Sequence, residues 1–241
     1  MQLYLIRHAQ SENNALSDTA DYNQARRMDP ELTELGFRQA EYLARYLAES
    51  PGDFSDVDDL QNRPGFGLSH LYSSLMVRAV ATGTIISKEL GLPLIGWRDW
   101  HEGGGIYLED EVTGELVGYP GKDREYFKTY YPALVWPVDL GNGPWWDRPF
   151  EERPQRWSRA QHVLVELMTR HGGTYDRVAV IMHGGFYNYF MKTLLGIEPG
   201  AAVWFVMNNA AITRIDFTGR ETRLVYQNRL EHLPTELVSI G

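Results

Sequence analysis

Met1-Gln-Leu-Tyr-Leu-Ile-Arg-His-Ala-Gln-Ser11 is the stretch on which the fold turns. Tyr4, Leu5 and Ile6 form a nearly continuous apolar run, the pattern of a strand buried on both faces of a parallel sheet. The run delivers Arg7 and His8 to its carboxyl end, the edge at which open α/β sheets bind their ligands. A second stretch repeats the pattern late in the chain: Arg177-Val-Ala-Val-Ile-Met-His183 is apolar up to its histidine, and Gly184-Gly185 follow it. Two strands that each hand a histidine to one sheet edge predict an α/β fold with its chemistry on that edge.

Between them the chain alternates helical and strand patterns. Ala9 to Pro30 is polar and without period, which reads as a long loop beside the site. Thr33 can cap a helix in which Leu35, Ala40, Leu43, Ala44 and Leu47 form one buried stripe, ending by Ser50-Pro51-Gly52. Residues 53–67, rich in Asp, Gly and Pro, read as a surface loop. A short strand over 68–74 is followed by a helix from about Met76 to Leu90, stopped by Gly91 and Pro93. Arg78 falls in its first turn, where a cation opposes the helix dipole unless an anion lies nearby. A strand near Leu94 leads into Asp99-Trp-His-Glu102-Gly-Gly-Gly105.

From Tyr119 to Trp157 aromatic residues crowd among prolines, as in an inserted segment or lid, and Trp145 and Trp146 hint at a substrate with an apolar part. An amphipathic helix is expected over about 153–171, a further one near Phe186, and edge strands over 203–207, 211–217 and 223–227. No linker divides the 241 residues, which predicts one domain over 1–241.

Composition narrows the function. A chain 43% hydrophobic and 23% charged, with no apolar run of about 20 residues, reads as soluble, cytoplasmic and free of membrane contact. Absence of cysteine excludes disulfides, thiolate metal sites and cysteine nucleophiles. A formal net charge of -9 argues against nucleic-acid partners, while a local arginine cluster can still receive a small anion. His101-Glu102 lacks the second histidine of a zinc-protease helix, and Gly67-Leu-Ser-His-Leu71 lacks the second glycine of a nucleophile elbow. His70, His162, His171 and His232 show no ligand spacing and are read as structural or surface residues, so no metal or cofactor is expected.

Arg7, His8, Arg78, Glu102 and His183 form a coherent set. Two guanidiniums can grip phosphoryl oxygens, a neutral imidazole can attack phosphorus, and a nearby carboxylic acid can protonate the leaving alkoxide.

The residues also carry a resemblance. Arg7-His8-Ala9-Gln10-Ser11 with Asn14, Leu32-Thr33 to Gly36 with Gln39-Ala40, Ser73-Ser74 with Arg78-Ala79 and Thr82, and His183-Gly184-Gly185 resemble the successive motifs of the histidine phosphatase superfamily, also called phosphoglycerate mutase-like. That resemblance implies a three-layer α/β sandwich with a mostly parallel central sheet and a variable, aromatic-rich insertion at about 103–157. It implies that His8 is the phosphorylated nucleophile, that Arg7, Arg78 and His183 form the phosphate pocket with help from Asn14, and that Glu102 is the general acid. Glu109, Asp110 and Glu111 compete for that last role. Ala9 stands where the family has glycine.

The expected activity is that of a metal-independent phosphoric monoester hydrolase acting on a small phosphorylated substrate. A cofactor-dependent phosphoglycerate mutase is the alternative, and a non-catalytic phosphate-binding module a third reading. An exposed C-terminal strand is open to pairing in a homodimer.

Overall fold

The structure, a computed structural model, describes residues 1–17, 22–49, 59–63 and 65–240. Its frame is a seven-stranded sheet, with strands labelled in chain order: β1 (Gln2–Arg7), β2 (His70–Ser73), β3 (Leu94–Gly96), β6 (Leu134–Val135), β7 (Arg177–Met182), β8 (Ile212–Phe217) and β9 (Thr222–Arg229). They lie in the order β6-β3-β2-β7-β1-β8-β9, with β6 through β1 parallel and β8 and β9 antiparallel. The remaining two strands, β4 (Tyr107–Glu109) and β5 (Leu116–Gly118), make a separate hairpin.

The helices are α1 (Glu12–Leu16), α2 (Tyr22–Ala25), α3 (Glu34–Ala48), α4 (Val77–Leu90), α5 (Arg124–Tyr130), α6 (Arg153–His171) and α7 (Gly184–Leu194). Alternation along β1 explains the three layers. Tyr4 and Ile6 join Leu43, Leu47, Val80 and Ile86 from α3 and α4 on one face. Leu3 and Leu5 join Val163, Leu167, Phe186 and Phe190 from α6 and α7 on the other. Burying each such side chain contributes about 1.5–3 kcal/mol, so both faces of the opening strand drive the sandwich.

β7 comes late in the chain but inserts between β1 and β2, pairing Arg7 with Met182 in register. That crossover sets His8 and His183 side by side.

Some expectations are corrected. The stretch after His8 is not a plain loop: Ser11 caps α1 in a capping box with Asn14, and α2 follows. Helices of one turn carry no period to read. Residues 203–207 form no strand. Their backbone is held instead by one side chain of α7, for Asn188 Oδ1 accepts from Phe205 N at 2.8 Å and Asn188 Nδ2 donates to Phe205 O at 3.1 Å. The aromatic insertion is partly sheet, since β6 extends the central sheet beside β3. α3 ends at Ala48, in keeping with the expected stop by Ser50; of the expected loop over 53–67, residues 53–58 and 64 lie outside the described residues, and 59–63 and 65–67 form no helix or strand. No helix among the described residues is long and apolar enough to cross a membrane.

Candidate active site

His8 follows β1 directly and is buried. Its Nδ1 lies 2.7 Å from the carbonyl of Ala9, which can only accept, so Nδ1 carries the proton. Nε2 is then the nitrogen with the lone pair, and Arg78 Nε donates to it at 3.1 Å. Burial, followed by the charges of Arg78 and Arg7, pushes the imidazole well below its usual proton affinity. The ring is neutral across the physiological range, with its lone pair on Nε2.

His183, level with His8 across the strand pair, has its ring centre 5.0 Å from that of His8. Its Nε2 lies 2.9 Å from Ser74 Oγ, which also accepts from Met76 N. The Ser74 hydroxyl proton has no other acceptor among the described residues, so the tautomer that satisfies it is the one in which Ser74 donates to Nε2 and Nδ1 carries the ring proton. Nδ1 is buried and has no hydrogen-bond partner among the described residues. Burial and the neighbouring Arg78 keep this ring neutral as well.

Both arginines are fixed from behind. Arg7 Nη1 donates to Met207 O at 2.5 Å, and burial lowers its pKa to about 10. Arg78 sits in the first turn of α4, where no side chain of the helix caps the terminus. Asp29, distant in sequence, serves both needs: its Oδ1 accepts from Val77 N at 3.0 Å and lies 3.8 Å from Arg78 Nη1. Burial raises the Asp29 pKa to about 6 against the lowering effect of Arg78. Asn14 Oδ1 accepts from Ser11 N, Ser11 Oγ and Asn209 Nδ2 at 3.0–3.1 Å, which leaves its amide N–H groups for a ligand. Asn209 Nδ2 also donates to His8 O at 3.2 Å.

Glu102 reaches the same cavity from the far side. Oε1 accepts from Gly103 N at 2.7 Å and Phe186 N at 2.6 Å, and Oε2 from Gly185 N at 2.9 Å, so the carboxylate caps α7. The two glycines after His183 now have a reason. A Cβ on Gly185 would stand 2.5 Å from Glu102 Oε1, and one on Gly184 would crowd Arg7 Nε at 3.3 Å. The segment bearing Glu102 is itself braced by Arg159, which pairs with Glu151 and donates to the carbonyls of Asp99 and His101. Of the competing acids, Asp110 is used in the β4–β5 turn, accepting from Val112 N and Thr113 N, and none of the three lines the cavity.

The cavity measures roughly 340 Å³ and is lined by Arg7, His8, Asn14, Arg78 and Glu102, with the His183 ring in contact with that of His8. Its outer wall carries Tyr22, Tyr107, Trp204 and Val206. Trp145 and Trp146 do not line it. They are buried, with Trp146 against Gly105 and both rings near His101, so they support the Glu102 segment from below.

Sequence reading missed Asp29, Ser74 as the His183 partner, and Asn209. Only Asp29 left a signal, in the cation of Arg78 at an uncapped helix start. His171 bonds Tyr72 and Asp176, His232 stacks on Tyr46, and His162 is exposed near Asp99 and Glu166, all away from the cavity.

Comparison with known proteins agrees with this geometry. A protein of Hydrogenobacter thermophilus named "Putative phosphoserine phosphatase 2" is 30% identical over 238 residues, covering 96% of this chain and 97% of that one. Phosphoserine phosphatase of Entamoeba histolytica shares the fold with a TM-score of 0.60 at 20% identity, over 97% of this chain and 99% of that one. A mycobacterial glucosyl-3-phosphoglycerate phosphatase does so with a TM-score of 0.58 at 19% identity, over 97% and 99%. The family model for the histidine phosphatase superfamily (branch 1) matches residues 3–229. On that match, and with Arg7 and His8 at the end of β1, His183 after β7 and Arg78 opening α4 brought together, the chain belongs to the histidine phosphatase superfamily and is a phosphatase of its first branch.

Proposed function

We propose that the protein hydrolyses a small phosphomonoester in two steps through a phosphohistidine on His8, with no metal required. The observation that carries this reading is the fixed tautomer of His8, with Nδ1–H on Ala9 O and a neutral Nε2 facing Arg78. In the first step the Nε2 lone pair forms the bond to phosphorus as the ester P–O bond breaks. Arg78 Nε–H shifts from that lone pair to a phosphoryl oxygen, and Arg7, Asn14 and His183 Nδ1–H supply further donors to the transferring group. The leaving alkoxide takes a proton from the Glu102 carboxyl group. In the second step water attacks phosphorus, the P–N bond breaks, Glu102 accepts the proton from water, and His8 returns to its neutral form.

Hydrolysis is favoured over a mutase by the mouth of the cavity. Trp204 and Ile240 line it with relative exposures of 66% and 71%, which leaves water a path to the phosphoenzyme. The cavity volume suits a small substrate. The name of the Hydrogenobacter relative makes phosphoserine the first ester to try.

The test is phosphate release from phosphoserine, 3-phosphoglycerate and 4-nitrophenyl phosphate in the presence of a chelator. Release that His8→Ala abolishes is the expected result. Interconversion of phosphoglycerate isomers without release would make the protein a mutase, and silence on every ester would make it a phosphate-binding module.

A further inference from the structure

One cation in the cavity has no task in phosphoryl transfer. Arg26, just after α2, lines the outer cavity with Asn13, Met28 and Tyr107. Its guanidinium carbon lies 4.5 Å from the centre of the Tyr107 ring and 5.7 Å from that of Tyr22. Its Nε is buried without a hydrogen-bond partner, and the guanidinium forms no ion pair among the described residues. The neighbouring cations differ. Arg78 has Asp29 and His8, and Arg7 has Met207 O.

The rest of the lining makes Arg26 more conspicuous. Glu102 is the one carboxylate among the cavity-lining residues, and it is already held by two N–H groups of α7 and by that of Gly103. Across the mouth stand Trp204, Val206 and Ile240, which carry no charge. Arg26 lines the same cavity as Arg78, near enough for the two charges to interact, so one small ligand can meet both. The cation–π contact holds the guanidinium over the Tyr107 ring, and no hydrogen bond among the described residues occupies its N–H groups, which suits recognition of a planar anion through two parallel bonds.

We propose that Arg26, stacked on Tyr107, is the subsite for a carboxylate on the leaving group, so that the preferred substrates are phosphorylated carboxylic acids. This rests on the phosphomonoesterase function proposed for the same cavity. A carboxylate matches one guanidinium in charge and shape. A second phosphate would bring two negative charges to a single cation.

The experiment compares 3-phosphoglycerate with glycerol 3-phosphate, which share a three-carbon skeleton and differ at the carboxylate. The ratio of kcat/KM for the two esters is measured for the natural protein, Arg26→Gln and Arg26→Lys. The ratio, not either rate, is read, so a general loss of activity cancels. The expected result is a preference for 3-phosphoglycerate that Arg26→Gln lowers by about 10- to 100-fold and Arg26→Lys lowers less, because lysine keeps the charge and loses the fork.

An unchanged ratio, or an equal fall on both esters, overturns the subsite. A bisphosphate preferred to both, with that preference lost in Arg26→Gln, overturns the carboxylate assignment in favour of a second phosphate. Dissociation constants of the same two esters, measured on His8→Ala with and without Arg26→Gln, carry the same prediction without turnover. Absent hydrolysis of every ester therefore sinks the phosphatase reading, and binding alone then decides the subsite.

Discussion

β1 and β7 are neighbouring parallel strands in register, and each ends in a buried histidine, yet the two rings are held in opposite ways. His8 gives its proton to the backbone beside it and presents a lone pair to the cavity. His183 takes a proton from Ser74 and keeps a donor without a partner. The segment leaving each strand sets the difference. After β1 the chain turns through Ala9 toward Ser11 and α1, whereas after β7 it enters α7 at once through two glycines, whose helix terminus holds Glu102. One strand end thus presents a lone pair, and its neighbour presents an N–H donor and a carboxylate.

The largest test of that contrast is His8→Ala. Loss of the nucleophile is expected to lower kcat by about 10⁴-fold or more, with no phosphate label trapped on the protein and an unchanged circular dichroism spectrum. An active mutant would remove the distinction between the rings.

His183→Ala should cost less, about 10²- to 10³-fold in kcat, as for removal of one donor to a transferring group. Label should still be trapped on His8 after rapid quenching. A mutant that loses labelling altogether would mean that the two rings act as one unit.

Gly185→Ala probes the helix end. Its Cβ must displace the Glu102 carboxylate, and misplacement of a catalytic group by about 1 Å is expected to lower kcat roughly 10- to 100-fold. Esters with a poor leaving group should suffer more than 4-nitrophenyl phosphate, whose leaving group needs no proton. Equal losses would argue that Glu102 has no acid role.

The smallest effect concerns Asp29 and is read in stability. Its ordinary pKa of 3.8 is raised to about 6 in the folded protein. Below pH 3.8 both states hold the proton. From about pH 4 to 6 only the folded state does, so its contribution to stability falls as pH rises, by about 3 kcal/mol in all. Asp29→Asn should flatten that slope in urea unfolding at pH 4.5 and 7. An unchanged slope would show that Asp29 is ionised in the fold at both pH values.

Much of this was legible in the chain. The apolar runs before His8 and His183 predicted strands buried on both faces, and the structure pairs them at the centre of the sheet. Arg78 was readable as a cation misplaced at a helix start, though its partner was not, because Asp29 acts across 48 residues through a loop without period. The rings that line the cavity were also out of reach. Trp145 and Trp146 drew attention by their concentration, but burial beneath the Glu102 segment removes them from the site, and Trp204 lies in a stretch whose apolar pattern mimics an edge strand. Pattern reports what is apolar; only the partner of Phe205, an asparagine on α7, shows that this stretch is not sheet.

The same asparagine bears on how such a protein can diversify. Asn188 satisfies the backbone of Phe205 from a helix that the fold keeps in place, so the side chains of Trp204 and Val206 answer to no strand partner among the described residues. Replacing them alters the cavity mouth without disturbing a ladder of hydrogen bonds. Substitutions at Trp204 and Val206 are therefore expected to alter which leaving groups the mouth admits, while the strand ends stay as they are.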